Sequence, residues 1–238
     1  MPSFALVAEG ITDQVIIERI IFTVSGKIID DIDDEADINP LQPLRDATDQ
    51  SRVAEGTFGG WERVREFCSS QERLEEALEF NDYIVIHLDT DMCEHPNFGV
   101  SLLEEGNPIS IESLLGRVSS KVFEWLGDDF TGSHGDRIIL AIAVHSTDCW
   151  LLTHYGKTNA DRCREIACYD HLERNLARLD RRIEKNHRSF SEMSICFKKY
   201  RDLIASRALN LSLETFVFSL EQKLNERTQA ADLALPLV

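Results

Sequence analysis

The stretch "FALVAEGITDQVIIERII" (residues 4–21) joins an apolar run, a Glu-Gly pair and an apolar pattern of helical spacing. The run at 4–8 contains no polar residue, which predicts a strand buried on both faces of a sheet. After the Glu-Gly pair, apolar residues recur at helical intervals: Ile16, Ile17, Ile20, Ile21 and Val24. We expect Thr12 to cap this helix and Gly26 to end it. A strand, a turn and a helix in this order are typical of a parallel α/β sheet.

Two more apolar runs predict buried strands of the same sheet, "YIVIHL" (83–88) and "RIILAIAV" (137–144). Apolar residues at helical spacing predict helices over 61–78 and 109–127. The stretch "STDCWLLTHY" (146–155) is expected to turn into a helix after the third strand. A further short strand is expected at 27–29 or 51–55. Because strands alternate with helices, we expect a parallel sheet flanked by helices.

The end of the chain has a different pattern. From 158 to 227 only helical periodicity with charged faces is present, and "AADLALPLV" (230–238) is typical of a loose or docked tail. The sequence therefore predicts an α/β domain at 1–157. A helical C-terminal extension at 158–238 is expected to pack on or beside it.

Acidic residues follow three of the predicted strands. Glu9 follows the first, Asp89 and Asp91 follow the second, and Asp148 lies a few residues past the third. Ligands bind parallel sheets beyond the carboxyl ends of their strands, so these side chains are expected to converge. Converging carboxylates repel one another unless a cation lies between them, and oxygen ligands suit Mg²⁺ or Mn²⁺. His87, inside the second strand, is expected to be a packed histidine rather than a ligand.

Three short motifs carry a resemblance to a known family: "VAEGITD", "IHLDTD" and "STDCWLLTHY". In their order and spacing they resemble the TOPRIM domain of OLD-family nucleases and of their small stand-alone relatives. The resemblance spans roughly residues 3–155. It implies a TOPRIM-like parallel sheet and a metal-dependent phosphoryl-transfer site.

The resemblance also implies roles for single residues. Glu9 would be a metal ligand and the general acid or base, and Gly10 would keep the turn tight and let a phosphate approach the backbone. Asp89 and Asp91 would hold the metal, and Asp148 would match an acid that precedes Trp-Leu-Leu in the relatives. Those relatives more often carry Glu-Ala-Trp at this point, and the shorter Asp148 reaches less far. No lysine lies near the motifs, so the cation that would neutralise a transition state is unassigned.

The function that the resemblance implies is a nuclease acting on DNA or RNA, in bacterial defence against phage. The chain carries no fused ATPase, so a separate ATPase or sensor protein is the expected partner. Two alternatives remain open from the sequence. One is a catalytically degenerate TOPRIM protein that acts as a protein-interaction module. The other is a different metal enzyme, such as a nucleotide-sugar transferase or a phosphatase, which leaves the Glu-Gly motif unexplained.

Charge is unevenly distributed along the chain. The formal net charge is −17, which argues against extended nucleic-acid binding, yet residues 161–207 carry a net charge of +4. Several cations there, including Arg178 and Arg182, follow helical spacing and would form a stripe able to contact a phosphate backbone. An ordinary solvated helix, whose cations pair with neighbouring acids, is the competing interpretation.

Cysteine usage and hydropathy bear on the compartment. The six cysteines form no Cys-x-x-Cys pair, which favours reduced thiols in a cytoplasmic protein. No apolar run is long enough to span a bilayer, and the first residues lack the basic segment of a signal peptide. We therefore expect a cytoplasmic protein with no membrane contact.

Overall fold

The computed structural model describes residues 1–29, 36–43 and 60–234, with side chains as far as residue 230. Its centre is a four-stranded parallel sheet in the order β2-β1-β3-β6. The four strands are β1 (Ser3–Val7), β2 (Asp37–Gln42), β3 (Tyr83–Asp89) and β6 (Ile138–Ala143). Two short strands, β4 (Leu103–Glu104) and β5 (Asn107–Pro108), pair in an antiparallel hairpin. The predicted α/β fold with a parallel sheet is confirmed.

Eleven α-helices occur in the described part of the chain. They are α1 (Ile11–Ile28), α2 (Trp61–Cys68), α3 (Gln71–Phe80), α4 (Ile111–Leu126), α5 (Asp128–His134), α6 (Asp148–Tyr155), α7 (Asn159–Arg162), α8 (Cys168–Ala177), α9 (His187–Ser194), α10 (Tyr200–Arg207) and α11 (Leu211–Ala234). The region after residue 158 is helical, as predicted. No described helix combines the length and apolar character needed to cross a membrane.

The sheet is covered by helices on both faces, which explains why β1, β3 and β6 are predominantly apolar. Alternate residues of β1 enter different cores: Phe4 and Leu6 pack with α1, α6, α8, α9 and α11. Ala5 and Val7 instead pack with α2, α3, α4 and α5. Each of these four β1 side chains is completely buried and has no solvent-exposed surface.

The last helix is tied to the sheet. Trp150 of α6 is fully buried, and its ring stacks on Phe216 of α11 with centroids 5.8 Å apart. The Trp150 indole N–H donates to Ser212 Oγ over 2.8 Å, and the Val144 N–H donates to the same oxygen over 3.3 Å. Residues on both sides of position 157 therefore share one apolar core, while the division into two domains stays a prediction.

The helix boundaries differ from the sequence expectations for local reasons. Gly10, not Thr12, precedes α1, and α1 continues past Gly26 to Ile28, because a glycine inside a helix is tolerated at a modest cost. The predicted helix at 61–78 is two helices, with Ser70 Oγ accepting from the Arg73 N–H at the start of the second. The second strand in the chain is residues 37–42, not 27–29, and 51–55 lies outside the described residues.

The predicted basic stripe is not a single helix face. Helix α8 ends at Ala177, and Asp180 adopts a left-handed conformation with a φ of 55°. Arg178 and Arg182 therefore lie on an irregular segment between α8 and α9, and the predicted helical alignment of these cations is wrong. The expected tail at 230–238 is also partly helical, because α11 continues to Ala234.

Two cysteines are joined, contrary to the expectation that all six are reduced. Cys149 of α6 and Cys168 of α8 form a disulfide, with their Cα atoms 5.0 Å apart. Both are completely buried between helices that the sequence does not place together. Four other cysteines, Cys68, Cys93, Cys163 and Cys196, are free.

The anchoring of α11 can be tested by replacing Ser212 with alanine. The substitution leaves the buried Trp150 indole N–H without its acceptor, so we expect a loss of about 1–3 kcal/mol in the free energy of unfolding. Urea denaturation measures it. Thr215→Ala is the matched control, because its hydroxyl is exposed and bonds only within α11. Equal stabilities of the two variants would contradict the assigned role of Ser212.

Candidate metal centre

Acidic side chains from three parts of the chain meet at the carboxyl edge of the sheet. Asp89 is the last residue of β3, Asp148 is the first of α6 after β6, and Asp13 lies in the first turn of α1. These three, together with Asp91 and Lys185, line a cleft of about 430 Å³. The structure therefore brings together Asp89, Asp91 and Asp148, as the order of strands and acids predicts.

Asp13, His87 and Asp89 form a tight cluster at the wall of the cleft, with His87 fully buried behind the residues that line it. One potential ligand atom from each of the three lies within 4.8 Å of the other two. His87 Nε2 is 3.2 Å from Asp89 Oδ1, but neither atom makes a hydrogen bond within the described structure. His87 Nδ1 is likewise buried without a hydrogen-bond partner there. Burying a polar atom without a hydrogen-bond partner costs free energy. The atoms of this cluster that lack such a partner are therefore available to coordinate a ligand.

Asp148 adds a fourth group to the same cleft. Its Oδ2 accepts from the Ser146 hydroxyl over 3.3 Å, whereas its Oδ1 is buried and has no hydrogen-bond partner among the described residues. Thr147, next to it, donates its hydroxyl to Asp13 Oδ1 over 2.6 Å. The loop before α6 thus holds two of the carboxylates in fixed positions.

Glu9 lies beside the cluster and is bound to the end of β3. Its Oε1 accepts from the Asp89 backbone N–H over 2.7 Å. A Cβ atom at Gly60, whose φ is +93°, would lie 3.3 Å from Glu9 Oε2, so the glycine leaves room for this carboxyl. Glu9 therefore fixes the backbone of Asp89 and is not among the residues that line the cleft.

The structure gives a different reason for the glycine at position 10 than the sequence suggests. Its φ of −136° and ψ of 162° are extended values that any residue adopts. A Cβ atom there would, however, lie only 2.9 Å from Asp13 Oδ2. The glycine thus makes space for the Asp13 carboxylate, and its predicted contact with a phosphate stays a prediction.

Burial and mutual repulsion raise the pKa values of the carboxyls. Burial raises the pKa of Asp89 well above its ordinary value, and the charges of Asp13, Asp91 and Asp148 raise it further. Burial, followed by the charge of Asp89, does the same for Glu9. Burial and Asp13 raise the pKa of Asp148 to about 6, while the Lys185 ammonium opposes the shift.

The donor set fits a divalent cation. Three carboxylates and one imidazole converge, and buried oxygens of Asp89 and Asp148 lack hydrogen-bond donors in the described structure. Carboxylates suit Mg²⁺ and Mn²⁺, and an imidazole increases affinity for later transition metals. A cation bound there would remove the repulsion that raises the pKa values.

Three residues of this site were missed or given another role by sequence reasoning. His87, expected to be a hydrogen-bonded core histidine, has both ring nitrogens without hydrogen bonds in the described structure. Asp13 follows no strand directly, although its place one helical turn after the Glu-Gly pair signals proximity to the strand end. Lys185 is distant in sequence and is held over the Tyr169 ring, with Nζ 4.6 Å from the ring centroid.

The predicted substrate-binding arginines do not enter the cleft. Neither Arg178 nor Arg182 is among the residues that line it. Glu94, which follows the Asp-x-Asp motif, accepts from the Leu102 N–H over 3.3 Å and also lies outside the cleft.

Comparisons of the chain with models of known protein families, with curated proteins and with solved structures found no match. The TOPRIM resemblance therefore still depends on its three short motifs. The structure itself establishes a parallel α/β sheet with a buried group of Asp13, His87 and Asp89 that could hold a metal ion.

The free-energy cost of burying the Asp148 carboxylate can be measured from the pH dependence of the free energy of unfolding. Its pKa rises from 3.8 to about 6 on folding, so its ionisation opposes folding as the pH rises from about 4 to about 6. In metal-free buffer, Asp148→Asn should therefore raise the free energy of unfolding at pH 7.5 by on the order of 1–3 kcal/mol. The gain should shrink at pH 4.5.

Thermal and urea unfolding at both pH values measure the effect. Asp170→Asn is the control, because this exposed carboxylate lines the same cleft and should change stability much less. A loss of stability in Asp148→Asn at both pH values would show that the ionised carboxylate is not the costly form.

Proposed function

We propose that the protein is a Mg²⁺- or Mn²⁺-dependent nuclease that cleaves phosphodiester bonds of DNA or RNA. The observation that carries the proposal is the cluster of Asp13, His87 and Asp89 at the carboxyl edge of a parallel sheet, with Asp148 lining the same cleft as the two aspartates. Buried carboxylate oxygens without donors fit a cation better than an apolar or anionic ligand. The TOPRIM-like motifs at the same strand ends supply the reaction type.

In this proposal Asp13, His87, Asp89 and Asp148 hold the metal. A metal held by these residues would supply the polarisation of the phosphate and the lowered water pKa that phosphodiester hydrolysis needs. Glu9 positions Asp89 through the hydrogen bond to its backbone. A rigid sheet edge keeps these groups in place without reordering them at each turnover.

Lys185 is proposed to contact the phosphate. It is a cation among the cleft residues, and its charge already acts on Asp148. An ammonium in this place offsets the charge that a phosphodiester brings into an acidic cleft. It fills the role for which the sequence suggests no residue.

Calorimetric titration of Mn²⁺ is the first test of the site. We expect saturable binding to the wild type, and its loss in Asp89→Asn, because that substitution removes a charged ligand from the centre of the cluster. Glu94→Gln is the matched control, since Glu94 follows the same strand but lies outside the cleft. Absence of binding to the wild type, or equal binding to Asp89→Asn, would refute the metal site.

Cleavage of labelled oligonucleotides tests the reaction. With Mn²⁺, Asp89→Asn should cleave at least about 100-fold more slowly than the wild type, which corresponds to about 3 kcal/mol of activation free energy. Glu94→Gln should cleave at the wild-type rate. Circular dichroism shows whether both variants fold. A folded Asp89→Asn protein with full activity would mean that the nuclease site lies elsewhere.

The alternative of a degenerate protein-interaction module makes the opposite prediction for the titration. It expects no saturable Mn²⁺ binding and a stable complex with another protein. A role in defence against phage and an ATPase or sensor partner stay proposals that derive from the TOPRIM resemblance alone.

A further inference from the structure

A second and larger cavity lies away from the acidic cleft, among the C-terminal helices. It is a groove of about 1190 Å³ between the end of α6, helices α8, α9 and α10, and the segment that follows α8. Five cations line it: Lys157, Arg178, Arg181, Lys198 and Lys199. Such a concentration of positive charge is unexpected in a chain whose net charge is −17.

The cations of this basic groove are not neutralised by the protein. None of the five forms an ion pair within the described part of the chain, and all five are exposed. The groove also contains Glu192 and Asp202, but these pair with Arg188 and Arg201, which do not line it. The groove thus offers its positive charge to a ligand.

One buried amide connects two of the residues that line the groove. Asn175 Oδ1 accepts from the Lys157 backbone N–H over 3.1 Å and from Arg178 Nη1 over 3.2 Å. Asn175 is only 4% exposed, so its position is fixed by packing. The amide therefore holds the Arg178 guanidinium beside the backbone of Lys157, which orders one cation of the groove before a phosphate binds.

The rest of the groove wall is aromatic and aliphatic. The rings of His154 and Tyr155 lie edge-on with centroids 4.9 Å apart, and Tyr155 is fixed by donating its hydroxyl to the Met193 carbonyl over 2.9 Å. Partial burial lowers the pKa of His154. Leu179 and Ile195 are each 56% exposed beside these rings.

We propose that this basic groove binds single-stranded nucleic acid, with phosphates on its Lys and Arg side chains and bases against its aromatic and aliphatic wall. A single strand presents both chemistries, whereas a duplex hides the faces of its bases. The groove also exceeds the roughly 300–1,000 Å³ typical of small-molecule pockets, which favours an extended ligand over one nucleotide.

The groove and the acidic cleft share a connecting segment. Arg178, Leu179 and Arg181 line the groove, and Lys185, a few residues later, lines the cleft. A strand bound in the groove is therefore held by the segment that also contributes a cation to the cleft. The proposal deepens the nuclease function and rests on it, since cleavage at the metal centre requires a surface that holds the substrate.

Binding can be measured separately from cleavage. A fluorescently labelled single-stranded oligonucleotide is titrated with the full-length protein in EDTA, and anisotropy is recorded from 50 to 200 mM salt. We expect Lys198→Glu/Lys199→Glu to weaken binding at least 10-fold at 50 mM salt. The slope of log Kd against log salt should fall by about 1.4, because each lost phosphate contact removes about 0.7 for a single strand.

The matched control is Lys27→Glu/Lys223→Glu, which reverses two charges on helices α1 and α11 outside the groove and should keep near wild-type affinity. Asp89→Asn should also bind normally in EDTA, so loss of cleavage with retained binding separates failure of the metal centre from failure of the groove. Equal affinity of the groove variant and the wild type would overturn the proposal.

Competitors identify the ligand. An unlabelled single strand should displace the probe, whereas a duplex of the same sequence, ATP and a poly-glutamate peptide should need at least 10-fold higher concentrations. Equal competition by the duplex would overturn the preference for single strands. Equal competition by ATP or by the peptide would show that the groove binds a nucleotide or an acidic protein segment instead, and absence of probe binding would also reject the proposal.

Discussion

Repulsion among buried carboxylates is the constraint on which the site depends. Asp13, Asp89 and Asp148 lie at one sheet edge, where burial and their neighbours raise the pKa values of Asp89 and Asp148. The protein offsets only part of this cost, through the hydroxyls of Ser146 and Thr147 and the charge of Lys185. Buried oxygens without hydrogen-bond donors remain, and a divalent cation is the ligand that satisfies several of them together. Without a cation, the site is unfavourable because the charges of its carboxylates are not compensated. The site is therefore selective for cations.

Much of the framework could be predicted from the sequence because its signals are local. A largely apolar run such as residues 83–88 is compatible with few structures other than a strand that is covered on both faces. Residues that directly follow parallel strands lie at the carboxyl edge of the sheet. Asp89 and Asp148 could therefore be placed together from the sequence alone. Strand β2 gave no such signal, because "DINPLQ" (37–42) is polar and contains Pro40. An edge strand tolerates both features, since only one side of it is hydrogen-bonded.

Contacts between distant parts of the chain were beyond sequence reasoning. The Cys149–Cys168 disulfide joins two helices whose packing depends on the whole apolar core, and cysteine spacing alone does not define a pairing. Lys185 reaches the acidic cleft only because α8 ends at Ala177 and the following segment turns back. Helical periodicity placed Arg178 and Arg182 on one face, but a left-handed residue at Asp180 separates them. Of these two arginines, only Arg178 lines the basic groove.

A net charge of −17 does not by itself decide whether the chain binds a polyanion. Exposed charges are screened beyond about 8 Å at physiological ionic strength, so a ligand responds chiefly to the charges that line its own binding surface. In the basic groove those charges are five cations that form no ion pair with any described residue and two carboxylates that do. In the acidic cleft they are mainly carboxylates. Under the two proposals, a cation bound in the cleft would offset these charges before a phosphate approaches, and the basic groove would hold the same strand. The two cavities, opposite in sign, would then be complementary in use.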